Sequence, residues 1–396
     1  MLELSKEETR MLDGEDGNAV RKSMEIIVAL GKIYGAERLI PVSSVQVAGV
    51  SYHNLGDAGL EYLAELARDG WVKVLTTLNP AGMDLENYPD LGISEDFAQK
   101  QLKVIQAFRK MGVTCTCTCT PYLIGNLPVY GDHIAWSESS AVAFANSVIG
   151  ARTNREGGPS ALAAALTGRT AEYGLHLDEN RQAEICFRVE ADLKNIPDFG
   201  ALGYAIGKRA EGKIPLIRRV KSASLEQLKS FGASIATYGG QGLYHIQGIT
   251  PNPTEVPEES ISIRRGELEE ALEAMNDAGD PDFIALGCPH ASIREIEKIA
   301  GLLKGKRVKV EVWVATARPT KQISDAMGYT KLIEQAGAKF ACDTCMAVAP
   351  LKGRFKVMGT DSAKACYYGR GKNSFQVRIG TVEQLVESAV QGKWVD

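Results

Sequence analysis

Eight cysteines are the residues of this 396-residue chain whose type and spacing most directly suggest chemistry. They form a run that alternates with threonine, a Gly-Cys-Pro-His turn, a lone C-x-x-C pair and two isolated positions: Cys115, Cys117 and Cys119; Cys288; Cys342 and Cys345; Cys186 and Cys366. A chain of this length in a reducing cytosol does not need a disulfide framework. Metal ligation, catalysis or burial as small apolar residues are the remaining roles.

The alternating run can supply only part of a metal site. If Cys115, Cys117 and Cys119 lie on one strand, they spread over about 13 Å at ~3.3 Å per residue. Cys119 is favoured because Pro121 ends the strand and leaves it at the tip, whereas Cys115 and Cys117 fit burial better. Either of them remains an alternative to Cys119.

Cys288 and one cysteine of the C-x-x-C pair complete a set of three. A zinc ribbon needs a second such pair at suitable spacing, and the sequence has none. Three thiolates from three loops suit a [4Fe–4S] cluster with one iron left open. An open iron can act as a Lewis acid on a substrate hydroxyl and make it a better leaving group. We therefore predict a dehydration site with Cys119, Cys288 and Cys345 as metal ligands.

Helical and β-rich stretches alternate along the chain and must position these cysteines. The apolar periodicity predicts helices over 16–34, 56–68, 95–111, 291–303 and 320–337, and strands over 38–50, 72–78, 113–120, 282–288 and 308–316. Such alternation predicts an α/β fold with parallel or mixed sheets covered by helices. Most segments that hold candidate site residues follow predicted strands, and open α/β sheets bind ligands beyond the carboxyl ends of their strands.

A segment with three prolines, 249–260, is the best linker candidate. We predict an α/β body over residues 1–255, with room for two subdomains. A C-terminal α/β unit over 256–396 would then carry two of the cluster cysteines.

Composition excludes several classes of protein. Apolar residues make up 44% and charged residues 24%, with a net charge of −4, so nucleic acid is not an expected partner. The N-terminus is charged from the start and does not resemble a signal peptide. No apolar run reaches the ~18 residues of a membrane span. We expect a cytoplasmic protein that does not bind membranes.

Several long motifs resemble the aconitase X family. They are CTCTPY (117–122), GDHIAWSESSAVAFANSVIGARTNREGGPS (131–160), YHIQGITP (244–251), GCPHAS (287–292), DTCMAVAP (343–350) and DSAKACYYG (361–369). Weaker similarity at 48–59 and 76–84 extends the resemblance to nearly the whole chain. The resemblance implies an aconitase-like α/β fold, with several α/β/α units around a central iron–sulfur site.

The family combines a large cluster-bearing part with a small swivelling part, sometimes fused in one chain. This chain resembles only the large part, which implies a heterodimer with a separate small subunit that carries a serine base. Two hydro-lyase activities are attached to the family. One dehydrates (R)-5-phosphomevalonate to trans-anhydromevalonate 5-phosphate in the archaeal mevalonate route to isoprenoids. The other dehydrates cis-3-hydroxy-L-proline, and the split organisation favours the first.

A substrate with a carboxylate and a phosphate needs cationic and N–H donors. A polar loop offers Arg152, Thr153, Asn154 and Arg155. Glu138 and Ser139 begin a helix, where capping is the alternative role; the resemblance favours substrate or iron contacts. We predict Glu138 and His133 as catalytic. The other predicted substrate contacts lie after strands or in a motif: Gly49, Val50, Ser51, Asn79, Pro80 and Lys364.

Two rivals to the phosphomevalonate reaction remain at this point. A hydroxyproline dehydratase shares the iron chemistry but has no use for phosphate-binding arginines. A metal-binding scaffold subunit would have no chemistry of its own. Nucleotide binding is not expected, because Gly239–Gly242 lacks G-x-G-x-x-G and Gly371-Lys372-Asn373 lacks the Ser/Thr of a P-loop.

Overall fold

The computed structural model describes residues 2–396, in which helices and short strands alternate around four sheets. Three of the sheets are parallel, and the fourth is a short antiparallel pair. We refer to an N-terminal part (2–179), a middle part (183–274) and a C-terminal part (281–396), each built around one parallel sheet. The predicted α/β class is confirmed.

The N-terminal part holds a parallel sheet of order β3-β2-β4 and the antiparallel pair β1-β5. Its elements are α1 (Lys6–Asp13), α2 (Asn18–Ile33), β1 (Leu39–Pro41), β2 (Ser44–Val47), α3 (Tyr52–Leu66), β3 (Leu75–Leu78), α4 (Glu95–Lys110), β4 (Ala135–Trp136), α5 (Ser139–Phe144), α6 (Gly158–Thr167) and β5 (Arg169–Ala171). Helix α2 forms because Val20, Met24 and Ile27 recur at helical spacing and are buried.

The middle part holds a parallel sheet of order β8-β7-β6-β9. Its elements are β6 (Ile185–Val189), α7 (Ile196–Ala210), β7 (Pro215–Arg218), α8 (Leu225–Tyr238), β8 (His245–Ile246), β9 (Ser260–Ile263) and α9 (Arg265–Ala274). Helices α7 and α8 approach closely because small residues face each other; a side chain on Gly203 would meet the backbone of Phe231 at 2.9 Å.

The C-terminal part holds a five-stranded parallel sheet of order β12-β11-β10-β13-β14. Its elements are β10 (Phe283–Leu286), α10 (Ile293–Leu303), β11 (Glu311–Thr316), α11 (Arg318–Met327), α12 (Tyr329–Gln335), β12 (Lys339–Cys342), β13 (Val357–Thr360), α13 (Ala363–Asn373), β14 (Gln376–Ile379) and α14 (Val382–Gln391). Its central strand β10 is buried along its whole length, as expected for a sheet with helices on both faces.

One apolar cluster joins the three parts. Trp136 from the N-terminal part, Phe199 from the middle part and Trp313 from the C-terminal part belong to the same set of buried residues. The three sheets therefore share a core, and this core fixes the directions in which their strands point.

Three predicted elements differ in the structure. The predicted strand over 38–50 is two strands, β1 and β2, which belong to different sheets. Residues 113–120 do not form a strand beyond a single bridge between Thr114 and Thr77, because the chain turns tightly and Cys117 takes a left-handed φ of 45°. The predicted helix over 320–337 is two helices, α11 and α12, since Gly328 ends the first with a φ of 78°.

The predicted linker connects β8 and β9, which are the two edge strands of the middle sheet, rather than two halves of the chain. Strand β9, which follows the linker, pairs in parallel with β6 of the middle part. The division at residue 255 stays a prediction. Among residues 2–396, no helix combines the length and the apolar character needed to cross a membrane.

Arg318 connects the N-terminal and C-terminal parts. Its guanidinium contacts Asp84 at 2.6 Å, Asp343 at 2.5 Å and Glu86 at 2.9 Å. Asp84 is buried, and its second carboxylate oxygen accepts the backbone N–H of Cys342 at 3.0 Å. Asp84 therefore ties the strand that precedes Cys345 to the N-terminal part.

We expect Asp84→Asn to lower the free energy of unfolding by roughly 2–3 kcal/mol, because it removes one charge from a buried ion pair. The matched control is Glu86→Gln, whose side chain is 67% exposed and whose loss should cost less than about 1 kcal/mol. Urea denaturation of both variants measures the difference. Equal effects would contradict a structural role for the buried contact.

Candidate active site

A cavity of about 530 Å³ lies where strand ends of the N-terminal and C-terminal sheets meet. Its wall includes residues that directly follow β2, β3, β4 and β10: Ala48 and Gly49; Asn79 and Pro80; Ser137 and Glu138; Gly287 and Cys288. Helix α13 closes one side. The arrangement follows the rule that parallel sheets bind ligands beyond the carboxyl ends of their strands.

Cys119, Cys288 and Cys345 all line this cavity. Burial raises the pKa of Cys119 and Cys288 to about 12 and that of Cys345 to about 11. Each of the three thiols also raises the pKa of another one through Coulombic repulsion, so they lie close enough to act on each other. Three residues that are 57 to 226 positions apart in the chain are thus brought to one place.

The other cysteines of the two motifs face elsewhere. Cys117 is fully buried in the core of the N-terminal part, and Cys115 packs beside it. Cys342 lines a different cavity next to Asp84. Cys119 and Cys345 are therefore the members of their motifs that face the same space as Cys288.

His290 holds the three cysteine loops together. Its Nε2 lies 3.0 Å from the carbonyl oxygen of Thr344 and must donate to it, so Nδ1 accepts from the hydroxyl of Thr118 at 2.9 Å. Its backbone N–H donates to Cys119 Sγ at 3.2 Å. Burial lowers the pKa of His290 to about 4, so the imidazole is neutral near pH 7.

The Cys288 loop has a second support in the middle part. The ammonium of Lys229, on α8, donates to the carbonyl oxygen of His290 at 2.8 Å and forms an ion pair with Glu295. Gly287, with a φ of 88°, approaches Ala315 so closely that a side chain would lie 2.1 Å from its carbonyl oxygen. The backbone carrying Cys288 is therefore fixed from all three parts.

Glu138 and Lys364 form a buried ion pair on the cavity wall. The second oxygen of Glu138 accepts from the Ser140 hydroxyl at 2.5 Å and from the Ala141 backbone N–H at 2.7 Å. Burial alone would raise the pKa of Glu138, but Lys364 and these hydrogen bonds outweigh it and lower the pKa. Glu138 is thus a carboxylate near neutral pH, able to accept a hydrogen bond or a proton.

Two further polar atoms in the cavity wall have no partner. Asn79 Oδ1 and Lys372 Nζ are both shielded from solvent and make no hydrogen bond. Burial lowers the pKa of Lys372, although the thiol of Cys345 acts in the opposite direction. Buried polar groups are almost always paired in folded proteins, so these two are the groups of the wall whose hydrogen bonds remain to be made.

The residues present fit an iron–sulfur cluster better than a single ion. Among the described residues 2–396, no group of three or more His, Cys, Asp or Glu side chains could hold a metal ion. A cluster is larger and takes each thiolate on a different iron, so its ligands need not meet at one point. Three thiols on one cavity match that requirement; Cys119 and Cys345 are buried and Cys288 is partly buried. The N–H of His290 supplies a hydrogen bond to the sulfur of Cys119.

The predicted site residues divide into three groups. Nine line the cavity: Gly49, Asn79, Pro80, Cys119, Glu138, Ser139, Cys288, Cys345 and Lys364. Val50 and Ser51 lie behind the wall, where both are fully buried and the Ser51 hydroxyl donates to the Val348 carbonyl oxygen at 3.1 Å. The other five lie outside the cavity lining: His133, Arg152, Thr153, Asn154 and Arg155.

These five side chains form hydrogen bonds or ion pairs with neighbouring segments of the chain. His133 contacts His176 through their Nδ1 atoms at 2.9 Å, and Arg152 pairs with Asp178 at 2.5 Å. Arg155 donates to the Gly240 carbonyl oxygen at 2.5 Å. Two more are held by backbone groups: Thr153 by Trp136 and Asn154 by Tyr173 and Leu175. The proposed site therefore omits them.

Sequence reasoning identified only Lys364 on the wall that α13 forms. Four further residues of this helix line the cavity and were missed: Tyr367, Tyr368, Gly371 and Lys372. Residues three, four, seven and eight positions apart share one face of a helix. This spacing could have predicted that these residues share a helix face with Lys364, but only if residues 363–373 had been predicted to form a helix.

Sequence models of aconitase X domains match three consecutive stretches of the chain: the first domain over residues 1–179, the second over 183–273 and the third over 281–391. The chain belongs to the aconitase X family. In agreement, the crystal structure of Thermococcus kodakaraensis aconitase X in its holo-form superposes with a TM-score of 0.92 at 46% identity. The match covers 98% of this chain and 100% of that one.

Relatives within the aconitase X family carry two different names. Phosphomevalonate dehydratase large subunits of Methanosarcina mazei and Methanothermobacter thermautotrophicus are 48% and 51% identical; the matches cover 98% and 93% of this chain and 98% and 94% of theirs. The cis-3-hydroxy-L-proline dehydratase of Pseudomonas aeruginosa is 34% identical over 97% of this chain. That match covers only 69% of the relative.

We expect His290→Asn to prevent iron retention, because the shorter side chain cannot join Thr118 to Thr344. The matched control is His245→Asn, since His245 is also buried but its Nε2 contacts only the Arg181 carbonyl oxygen at 2.8 Å. Iron content after anaerobic reconstitution and thermal unfolding are measured on both variants. If both retain iron equally, the imidazole does not organise the three thiols.

Proposed function

We propose that this chain is the cluster-carrying large subunit of a hydro-lyase that dehydrates (R)-5-phosphomevalonate to trans-anhydromevalonate 5-phosphate. The reaction belongs to isoprenoid biosynthesis by the archaeal mevalonate route, and we propose a cytoplasmic location. The observation that carries the proposal is the near full-length similarity to relatives named phosphomevalonate dehydratase large subunit, at 48% and 51% identity.

We further propose that Cys119, Cys288 and Cys345 hold a [4Fe–4S] cluster. When bound, such a cluster supplies Lewis acidity that weakens the bond to a substrate hydroxyl. The support is geometric: the three thiols share one cavity, and the His290 N–H donates to Cys119 Sγ at 3.2 Å.

The protein's own residues orient the substrate in this proposal. The ammonium of Lys364 keeps Glu138 ionised and fixes the direction of its carboxylate. Glu138 can then accept a hydrogen bond from the substrate hydroxyl and orient it, while Asn79 Oδ1 accepts a hydrogen bond from a donor on the ligand. Gly49 leaves this part of the cavity wall open, because no atom lies within 4 Å of the position that a Cβ atom would take there.

The chain does not supply every group in the reaction. We propose that a serine of a separate small subunit removes the C2 proton, so that the complete site exists only in the heterodimer. The relatives named as large subunits support this view, because such a name implies a small subunit as partner.

The hydroxyproline reaction is the second candidate, supported by relatives at 34% identity. We expect the heterodimer, purified anaerobically, to turn over phosphomevalonate and not cis-3-hydroxy-L-proline, with about four irons per heterodimer as a [4Fe–4S] site requires. Turnover of hydroxyproline alone would show that the proposed substrate is wrong and would leave the cluster proposal intact. Zinc without iron, and no turnover of either compound, would favour a metal-binding scaffold.

The choice among the alternating cysteines has its own test. We expect Cys119→Ser to lose the cluster, as should Cys288→Ser and Cys345→Ser. Cys117→Ser is the matched control, since Cys117 lies two residues away and is equally buried but faces the core. Iron, sulfide and visible absorbance report the outcome. A full cluster in Cys119→Ser, together with its loss in Cys117→Ser, would reverse the assignment.

A further inference from the structure

Two cations line the cavity, and they stand at different places on one helix. Lys364 and Lys372 both belong to α13, and their side chains share its cavity-facing side with Tyr368 midway between them. Eight residues of helix separate the two lysines by about 12 Å along the axis. The cavity therefore has two distinct positions for anionic groups along α13.

The two lysines differ in how their charges are compensated. Lys364 donates to Glu138 and, at 3.1 Å, to the Ser140 hydroxyl. Lys372 Nζ is shielded from solvent and has no hydrogen-bond partner. An ammonium in this condition has lost its hydration without gaining an anion, which is unfavourable for the protein alone. Its position in a cavity wall implies that the missing partner comes with the ligand.

We propose that Lys372 binds the phosphate of the substrate and that this contact selects a phosphomonoester over an unphosphorylated acid. The inference rests on the proposed function, since it assumes a substrate with a carboxylate at one end and a phosphate at the other. Lys364 and Glu138 mark the end of the cavity nearer the reacting hydroxyl, and Lys372 marks the other.

The position also explains how the site recognises phosphate without the arginines expected from sequence. Arg152 and Arg155 are engaged outside the cavity. Among the described residues, Lys364 and Lys372 are the cations in the cavity lining, and Lys364 is already paired. A doubly charged phosphate would therefore find its uncompensated positive charge at Lys372.

The rival role for Lys372 is to balance charge on the cluster, because the thiol of Cys345 lies within its electrostatic reach. A residue with that role would affect iron retention first. A phosphate-binding residue would affect the KM of the phosphorylated substrate and leave iron content unchanged. These two readouts separate the roles without relying on loss of activity.

The test uses Lys372→Met in the anaerobically purified heterodimer, with Lys372→Arg as the conservative variant and the exposed Lys356→Met as control. We expect Lys372→Met to raise the KM for phosphomevalonate about 10- to 100-fold, with kcat changed less than about threefold, since an ionic hydrogen bond to the non-reacting end is lost. Inorganic phosphate should inhibit the wild type competitively and the Met variant much more weakly. Lys372→Arg should recover most of the affinity.

Thermal unfolding provides a readout that does not depend on turnover. Without ligand, Lys372→Met should unfold at the same temperature as the wild type or higher, because it removes an unpaired buried charge. Added phosphomevalonate should raise the unfolding temperature of the wild type more than that of the variant.

Each other outcome overturns the inference in a distinguishable way. An unchanged KM in Lys372→Met, with an active wild type, would reject the phosphate contact and leave the proposed function standing. Loss of iron in this variant would assign Lys372 to the cluster instead. A wild-type heterodimer that does not turn over phosphomevalonate would reject the proposed function, and the phosphate contact with it.

Discussion

The arrangement of this site depends on one buried, neutral imidazole. His290 contacts Thr118, Thr344 and Cys119, and it lies two residues beyond Cys288. The three cysteine loops come from two sheets and have no regular strand pairing with one another. Because burial lowers the pKa of His290 to about 4, its donor and acceptor nitrogens keep fixed roles over the physiological range. A protonated ring could no longer accept from Thr118, whose hydroxyl would have to turn and accept from Nδ1 instead.

Charge balance around the cavity follows from the same burial. Burial disfavours ionised thiols, and it raises the pKa of Cys119, Cys288 and Cys345 to about 11–12. Thiolate ligands therefore need positive charge nearby, which a bound iron cluster brings with it. The ammonium of Lys364 acts to lower the pKa of all three thiols, but its charge is balanced by the ion pair with Glu138. The protein alone holds the cysteines as neutral thiols in a position from which they can ionise on binding metal.

The fold and part of the site could be predicted from the sequence because both follow local rules. Helical and strand periodicity gave the α/β class, and the rule for strand ends brought Gly49, Asn79 and Cys288 to one cavity. The run 113–120 did not follow its β-branched composition, because the left-handed Cys117 bends the chain. What places Cys119 at the cavity is this bend and the N–H of His290, not the end of a strand. Neither the bend nor this hydrogen bond can be recognised from the sequence.

Charged residues show the limit of such reasoning most clearly. Arg152 looked suitable for an anion because of its glycine-rich loop, yet it pairs with Asp178 and supports the His176 carbonyl oxygen. Lys372 looked like a fragment of an incomplete phosphate loop, yet it is the cation without a partner in the cavity wall. Whether a cation is available to a ligand depends on the anions that folding brings to it, and those are distant in sequence. For Lys364 the nearest carboxylate is 226 residues away. The free cation of a site is therefore a property of the tertiary structure, and it identifies the end of the cavity at which a second anionic group of the substrate is stabilised.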